Sequence, residues 1–390
     1  MKKRVMIPIL LCMALLAGCQ EVPEVSKDGE IFRAKGESED RVEDILREDE
    51  GESAGENAGD GENVALVLGQ GENCMRLETE IPRVPESLGA LVMEPDESLD
   101  GETLKRFLEP EGETEDITQR LLEEQEAEEQ RQRELDQRLG EGDSMLEMAG
   151  IGDGSYLALT DQNRRAILKG RTGVFYEDAA LKEKCRQAAK KNEQELDVDA
   201  PGTGFSSFSL QDAEDLLKEK LSLLGIEDIY LYEADAHEGG GYYFYEVRFV
   251  PSIEGIPLAY SFGQMVVTEV YPDGNAWICP EGVADLSLEN FCMKMASEGE
   301  KAPILSWNKL KKLVETYLED GSLVCREDVS FSTVELVYYP RKKEGGLELT
   351  PMWNLHTDMG EYVDYAGEHG MDTVWNIYLN AVTGELEEVQ

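Results

Sequence analysis

An α+β fold of antiparallel meander sheets, each covered by a helix, is what this chain predicts, and three patterns predict it. Twice in the C-terminal half, at Ser209 and at Ser306, a capping serine opens a helix with one apolar face. Each helix is followed by short segments alternating apolar and polar residues, the period of a half-buried strand. Turn residues separate those segments at hairpin spacing, which favours meanders over parallel crossovers.

The chain opens with Lys2-Lys3-Arg4, an apolar run from Val5 to Leu16, and Leu16-Ala17-Gly18-Cys19. A basic start, a short apolar middle and a small-residue cleavage site predict a secretory signal over 1–18. About twelve apolar residues fall short of the roughly 20 that span a membrane. The ending resembles the lipobox of bacterial lipoproteins, which implies cleavage before Cys19 and acyl chains such as palmitate on its thiol. Two such chains hold firmly where one binds reversibly. The expected location is the cell membrane, lipid-anchored on the extracytoplasmic face.

Residues 19–62 are rich in Glu, Asp, Gly and Ser and cannot bury enough apolar surface to offset chain entropy, so a disordered acidic tether is expected. As a coil of about 43 residues it would span roughly 35–40 Å. An N-terminal α/β region is expected over 63–200. There VALVLG from Val64 predicts a buried strand, and Cys74 to Val84 predicts a half-exposed one ended by Pro82 and Pro85. A helix from Asp100 to Leu108 stops before Pro110. The long helix 113–139 has a middle of Glu, Gln and Arg, which predicts a solvent-bathed spacer without coiled-coil seams. A hairpin around Asp161-Gln162-Asn163 and a helix from Asp178 to about Gln194 complete the region.

The first repeated unit is expected over 205–285. Leu210, Ala213, Leu217, Leu221 and Leu224 share a helix face that Gly225 ends. Strands are expected at Ile229 to Ala234, Tyr242 to Val250 and Gln264 to Tyr271, with a turn at Pro272-Asp273-Gly274-Asn275 leading into Ala276 to Cys279. The second unit is expected over 300–390. Its helix carries Leu310, Leu313, Val314, Tyr317 and Leu318, and its strands lie at about Val329 to Tyr339, Leu349 to Leu355, Thr373 to Leu379 and Leu386 to Val389.

Both units resemble PepSY-like domains of envelope proteins. The likeness rests on Pro351-x-Trp353, on Trp375 to Leu379 closed by Asn380-Ala381-Val382-Thr383-Gly384, and on Gly255-Ile256-Pro257 with Asp273-Gly274. The arrangement is similar to the sensor-kinase regulators YycH and YycI, and the whole mature chain resembles an uncharacterised lipoprotein family of low-GC Gram-positive bacteria. Leu349 stands where that family tends to have Tyr. The resemblance brings no catalytic residues and implies a non-enzymatic envelope protein that binds or regulates another protein.

Charge points the same way. Against 37 Lys and Arg stand 83 Asp and Glu, a net charge of -46. Nucleic acid and anionic surfaces are therefore unfavourable partners, and basic proteins favourable ones. Cys74, Cys185, Cys279, Cys292 and Cys325 have no zinc-ligand spacing and are expected to fill core space as thiols. No cofactor and no metal are expected. His237, His356 and His369 lack metal-site spacing, although His356, Asp358, Glu361, Asp364, Glu368 and His369 share one polar stretch that reads as a solvated loop.

Asp96 to Gly101 starts like a calcium loop but has Phe107 where the closing Glu belongs. Gly239-Gly240-Gly241 reads as a hairpin tip, and Tyr242 to Tyr245 as a sheet core with an exposed tyrosine edge. No nucleophile motif occurs, so no enzyme is expected. Clustered carboxylates leave a hydrolase of wall polymer or peptide as one alternative and a solute-binding lipoprotein as another; the meanders disfavour the second.

Overall fold

A computed structural model describes residues 45–46, 61, 63–71, 73–139, 155–189, 192–195, 198, 204–260, 271–325, 329–357 and 376–389. Cys19, the signal segment, most of the tether, Trp375 and the loop from Asp358 through His369 lie outside the described residues. Among the described residues the fold is α+β, with five helices of eight residues or more and sheets that are antiparallel apart from one short parallel pair, Ser330–Phe331 against Asn73–Glu80. The helices are α1 (Gly101–Leu108), α2 (Thr118–Leu139), α3 (Ala179–Ala188), α4 (Leu210–Ser222) and α5 (Trp307–Asp320).

The expected helix-plus-meander layout occurs twice. After α4 come Ile229–Gly239, Tyr242–Ile253, Asp273–Cys279 and Gly282–Glu289, each paired antiparallel with the next. After α5 come Thr333–Lys343, Gly346–His356, Asn376–Asn380 and Leu386–Val389, likewise paired in order. Ser209 caps α4 reciprocally with Asp212, and Ser306 caps α5 through its hydroxyl alone. The predicted face of each helix is buried. The closing turn forms because Asn380 Oδ1 accepts the N–H groups of Val382 and Thr383, while Gly384 takes φ 74°. A Cβ on Gly384 would lie 2.6 Å from Leu313 Cδ1.

The N-terminal region does not form a sheet of its own. Its hairpin Tyr156–Thr160 and Arg164–Lys169, turned by Asp161 as expected, continues through Gly173–Asp178 onto Gly282–Glu289, so these strands extend the first meander into a ten-stranded sheet. Leu91–Pro95 instead joins Gly346–His356 in a six-stranded sheet. Asn63–Gln70 and Asn73–Glu80 form a third sheet with Ser330–Phe331.

The large sheet carries helices on both faces rather than one. Leu104, Phe107 and Leu108 of α1 and the apolar face of α4 pack with Tyr245, Val247 and Phe249, while Cys185 and Ala188 of α3 pack with Phe244. Alternate residues of a strand face opposite ways, so Phe244 and Tyr245 are both buried and the exposed edge reduces to the half-buried Tyr242 and Tyr243.

Other expectations are corrected. VALVLG is an edge strand with Val67 51% exposed. Asn192–Glu195 leaves the expected helix and pairs as a strand with Asp235 to Glu238. Asp273 to Asn275 lie in a strand, not a turn, because Gly274 is needed for packing: a Cβ there would sit 2.5 Å from the Phe249 ring. Gly282–Glu289 and Met293–Glu298 are additional strands. Ser330–Phe331 splits from Thr333–Lys343 to pair with the third sheet. The expected strand 264–271 lies almost wholly outside the described residues. Within the acidic tether, Ile45 and Leu46 are helical and pack on the core around α5, where the Lys309 ammonium donates to the Leu46 carbonyl at 3.4 Å.

A candidate binding groove between the two sheets

The two meanders meet along a groove of about 410 Å³, within the size range of ligand sites. Its floor is Met93, Phe291, Leu258 and Leu347, all buried. Ile226, Ile253 and Met293 form half-buried walls, and Met295 stands 54% exposed at the mouth. Glu227, Asp228 and Glu254 are exposed on the rim.

Local chemistry places each wall. Gly225, at φ 78°, ends the α4 segment, and the Ile226 N–H donates back to the Leu221 carbonyl at 3.2 Å, so Glu227 and Asp228 follow as a fixed corner. Opposite it, Ile253 pairs with Ile256 across the two-residue turn Glu254-Gly255, both left-handed at φ 53° and 79°. That is the hairpin turn whose twist matches its strands. Asn290, at φ 50°, makes the bend that carries Phe291 into the floor. Of the four described non-glycine residues at positive φ, Glu254 and Asn290 both line the groove, and such backbone strain concentrates at ligand sites.

The far wall is the strand Met293–Glu298, at the edge of the six-stranded sheet and, among the described residues, paired only to Leu91–Pro95. A register shift between Met295 and Ser297 interrupts that ladder, and bulges both re-aim side chains and blunt an edge against strand addition. Met93, Met293 and Met295 thus converge on one groove from two strands. Unbranched thioethers repack around varied partners.

The other candidate groups lie away from this groove. Glu177 and Asp285 face each other on adjacent strands, with Lys182 Nζ 2.7 Å from each. Burial pushes Asp285 above the usual carboxylate range; Glu177, though also part-buried, is held below it by the hydrogen bond from Lys182. Two acids displaced in opposite senses are what hydrolysis would require; here the Lys182 ammonium lies between them, and all three line a cavity of about 280 Å³.

His237 stacks on Phe244 at 4.6 Å with Nε2 3.7 Å from Glu246. His356 ends a strand rather than opening the loop, with Nε2 3.4 Å from Glu335, and Tyr260 lies edge-on to it while stacking on Tyr232 across the sheets. No group of three His, Cys, Asp or Glu among the described residues is placed to hold a metal. Asp100, in the calcium-like stretch, caps α1 by accepting the Thr103 N–H. The triple glycine is a hairpin tip, with Gly240 and Gly241 at positive φ. Trp353 is core, its Nε1–H donating to the Leu305 carbonyl.

The groove residues come from stretches far apart in the chain, and none was marked by motif. The Met293-x-Met295 alternation was the one local signal.

Fold and groove together define an α+β protein of two helix-covered meanders that meet at an apolar, acid-rimmed cleft. No protein-family model matches the chain, and no curated protein does. Among solved structures it is similar to an uncharacterized protein from Eubacterium rectale, at 12% identity and a TM-score of 0.49, over 84% of this chain and 94% of that one. It also aligns with YycH from Bacillus subtilis at 11% identity and a TM-score of 0.25, over 52% of this chain and 42% of that one, so the match spans less than half of YycH.

Proposed function

We propose that this chain is a membrane-tethered extracytoplasmic lipoprotein that binds a basic, amphipathic segment of an envelope protein and catalyses no reaction. The groove carries the reading. Its apolar floor and its methionines Met93, Met293 and Met295 suit an apolar helix face, and Glu227, Asp228 and Glu254 suit the cationic flank of that same segment. The net charge of -46 adds long-range attraction for such a partner. Cys19, through its acyl chains, would hold the protein at the membrane.

A fluorescent amphipathic Lys/Leu peptide titrated onto the protein tests the groove. Met295→Glu adds negative charge, so diffuse electrostatic attraction predicts tighter binding, whereas docking on the methionine wall predicts at least a tenfold loss. Tighter binding by that variant counts against the reading. For the anchor, Cys19→Ala should move the protein from the membrane to the soluble fraction; retention on membranes would refute lipidation at that residue.

A further inference from the structure

Beside α3 the large sheet carries a second cavity, of about 280 Å³. Strand register builds it from two rows that cross three neighbouring strands. Arg165, Glu177 and Asp285 stand side by side in one row, and Ile167, Phe175 and Ser287 in the next. The alternate residues Ala166, Leu168, Tyr176 and Leu286 point into the core with α1 and α4, which puts both rows on the face that carries α3. Asp178 turns the chain straight from Glu177 into α3, so Lys182 reaches back over the sheet with Nζ 2.7 Å from both Glu177 and Asp285.

Some of the cavity's groups are unspent. Among the described residues, the Arg165 guanidinium makes no hydrogen bond, its ion-pair partner Glu177 Oε1 lying 3.7 Å away. The half-buried Ser287 hydroxyl and Asp285 Oδ1 make none either, and the half-buried Phe175 ring has no ring partner among those residues. Burial holds Asp285 above the usual carboxylate range even with Lys182 against Oδ2, so its charge is under-compensated.

We propose that this cavity binds a free α-amino acid with an apolar side chain, its carboxylate on the Arg165 fork, its ammonium on Asp285 and its side chain against Ile167 and Phe175. The Ser287 hydroxyl is a further donor for the ligand carboxylate. Charge selects the class. Glu177 and Asp285 already balance Lys182 and Arg165, so a carboxylate without an amine would add negative charge to a chain of net charge -46. An amine without a carboxylate would leave the Arg165 fork, built for planar bidentate acceptors, without one. A zwitterion answers both groups and adds no net charge. Size limits it to one residue, because the cavity is smaller than the roughly 300–1,000 Å³ of sites for drug-sized ligands. This cavity shares no lining residue with the methionine groove, so the proposal stands apart from the peptide reading.

The test is a saturation-transfer NMR titration of the full chain with L-phenylalanine, 3-phenylpropionate, which lacks the ammonium, and phenethylamine, which lacks the carboxylate. L-phenylalanine should saturate one site, and each half-ligand should bind at least tenfold more weakly. Arg165→Gln should weaken L-phenylalanine at least tenfold; the side chain is 43% exposed, so the fold should persist. No saturable signal from L-phenylalanine, equal binding of either half-ligand, or unchanged binding by Arg165→Gln would overturn the proposal. The ligand comparison uses the wild-type chain and needs no variant to fold.

Discussion

The two helix-plus-meander units share a local grammar and differ in what surrounds them. The first meander is continued by the N-terminal strands Tyr156–Thr160, Arg164–Lys169 and Gly173–Asp178 and roofed on both faces by α1, α4 and α3. Among the described residues, the second is continued only by Leu91–Pro95 and the bulged edge strand Met293–Glu298. The closed unit spends its surface on packing; the open one leaves methionines at its border. The groove forms where the second unit's unfinished edge meets the corner and hairpin of the first.

The largest expected effect falls in the core of the second unit. Trp353→Ala removes a fully buried indole from the cluster that unites α5, both neighbouring sheets and the Leu305 carbonyl, and should cost about 3–5 kcal/mol in denaturant unfolding. A loss below about 1 kcal/mol would mean that the second unit does not depend on that core.

The closed unit holds its buried charge differently. Lys220 reaches from α4 to the Phe107 carbonyl and Glu109 at the end of α1 and lies over the Phe107 and Tyr176 rings. Lys220→Ala should cost about 1–3 kcal/mol, through the lost hydrogen bonds to a charged group. Burial lowers the lysine from its ordinary 10.5 despite Glu109, so the unfolded chain binds this proton more tightly than the folded one. Stability should therefore rise with pH between the lowered value and 10.5. Lys220→Ala should remove that rise from the pH series of unfolding free energies, and an unchanged slope would dissociate it from Lys220.

A finer difference lies at the caps. Ser209 and Asp212 cap reciprocally, with bonds of 2.7 Å to the Ser209 N–H and hydroxyl, whereas Ser306 Oγ accepts one N–H at 3.4 Å. Ser209→Ala should cost about 1 kcal/mol and Ser306→Ala less, within the usual range for caps. Thermal unfolding of the two variants side by side checks the order. Smallest of all should be the stability change in Met295→Glu, within about 0.5 kcal/mol because the residue is at the surface, although its peptide binding should fall.

Much of this architecture was legible because local rules and tertiary packing agree. Serine caps, helix faces and the Asp161 and Asn380 turns act over a few residues, and their signals survive in the folded protein. Asp273-Gly274 misled because glycine serves close packing against Phe249 as readily as it serves a turn, and only the tertiary partner distinguishes the two uses. Asn192 to Glu195 had helical composition yet became a strand where an open sheet edge offered hydrogen bonds. Ile45 and Leu46 show that two apolar residues in an acidic stretch can find a core when its helix presents Lys309 beside them. The groove could not be read locally, since Met93, Ile226, Glu254 and Met295 become neighbours only once both sheets have formed.

The most direct test places a photo-crosslinking side chain at Met295 and, in a second protein, at Val324, which is 61% exposed outside the groove. Both are irradiated in native membranes and the linked peptides sequenced. Position 295 is expected to capture one basic amphipathic segment of an envelope protein and position 324 is not, and reversing the charges of Glu227 and Asp228 should abolish the capture. Equal capture from both positions, or capture from 295 that survives the charge reversal, would contradict docking in the groove.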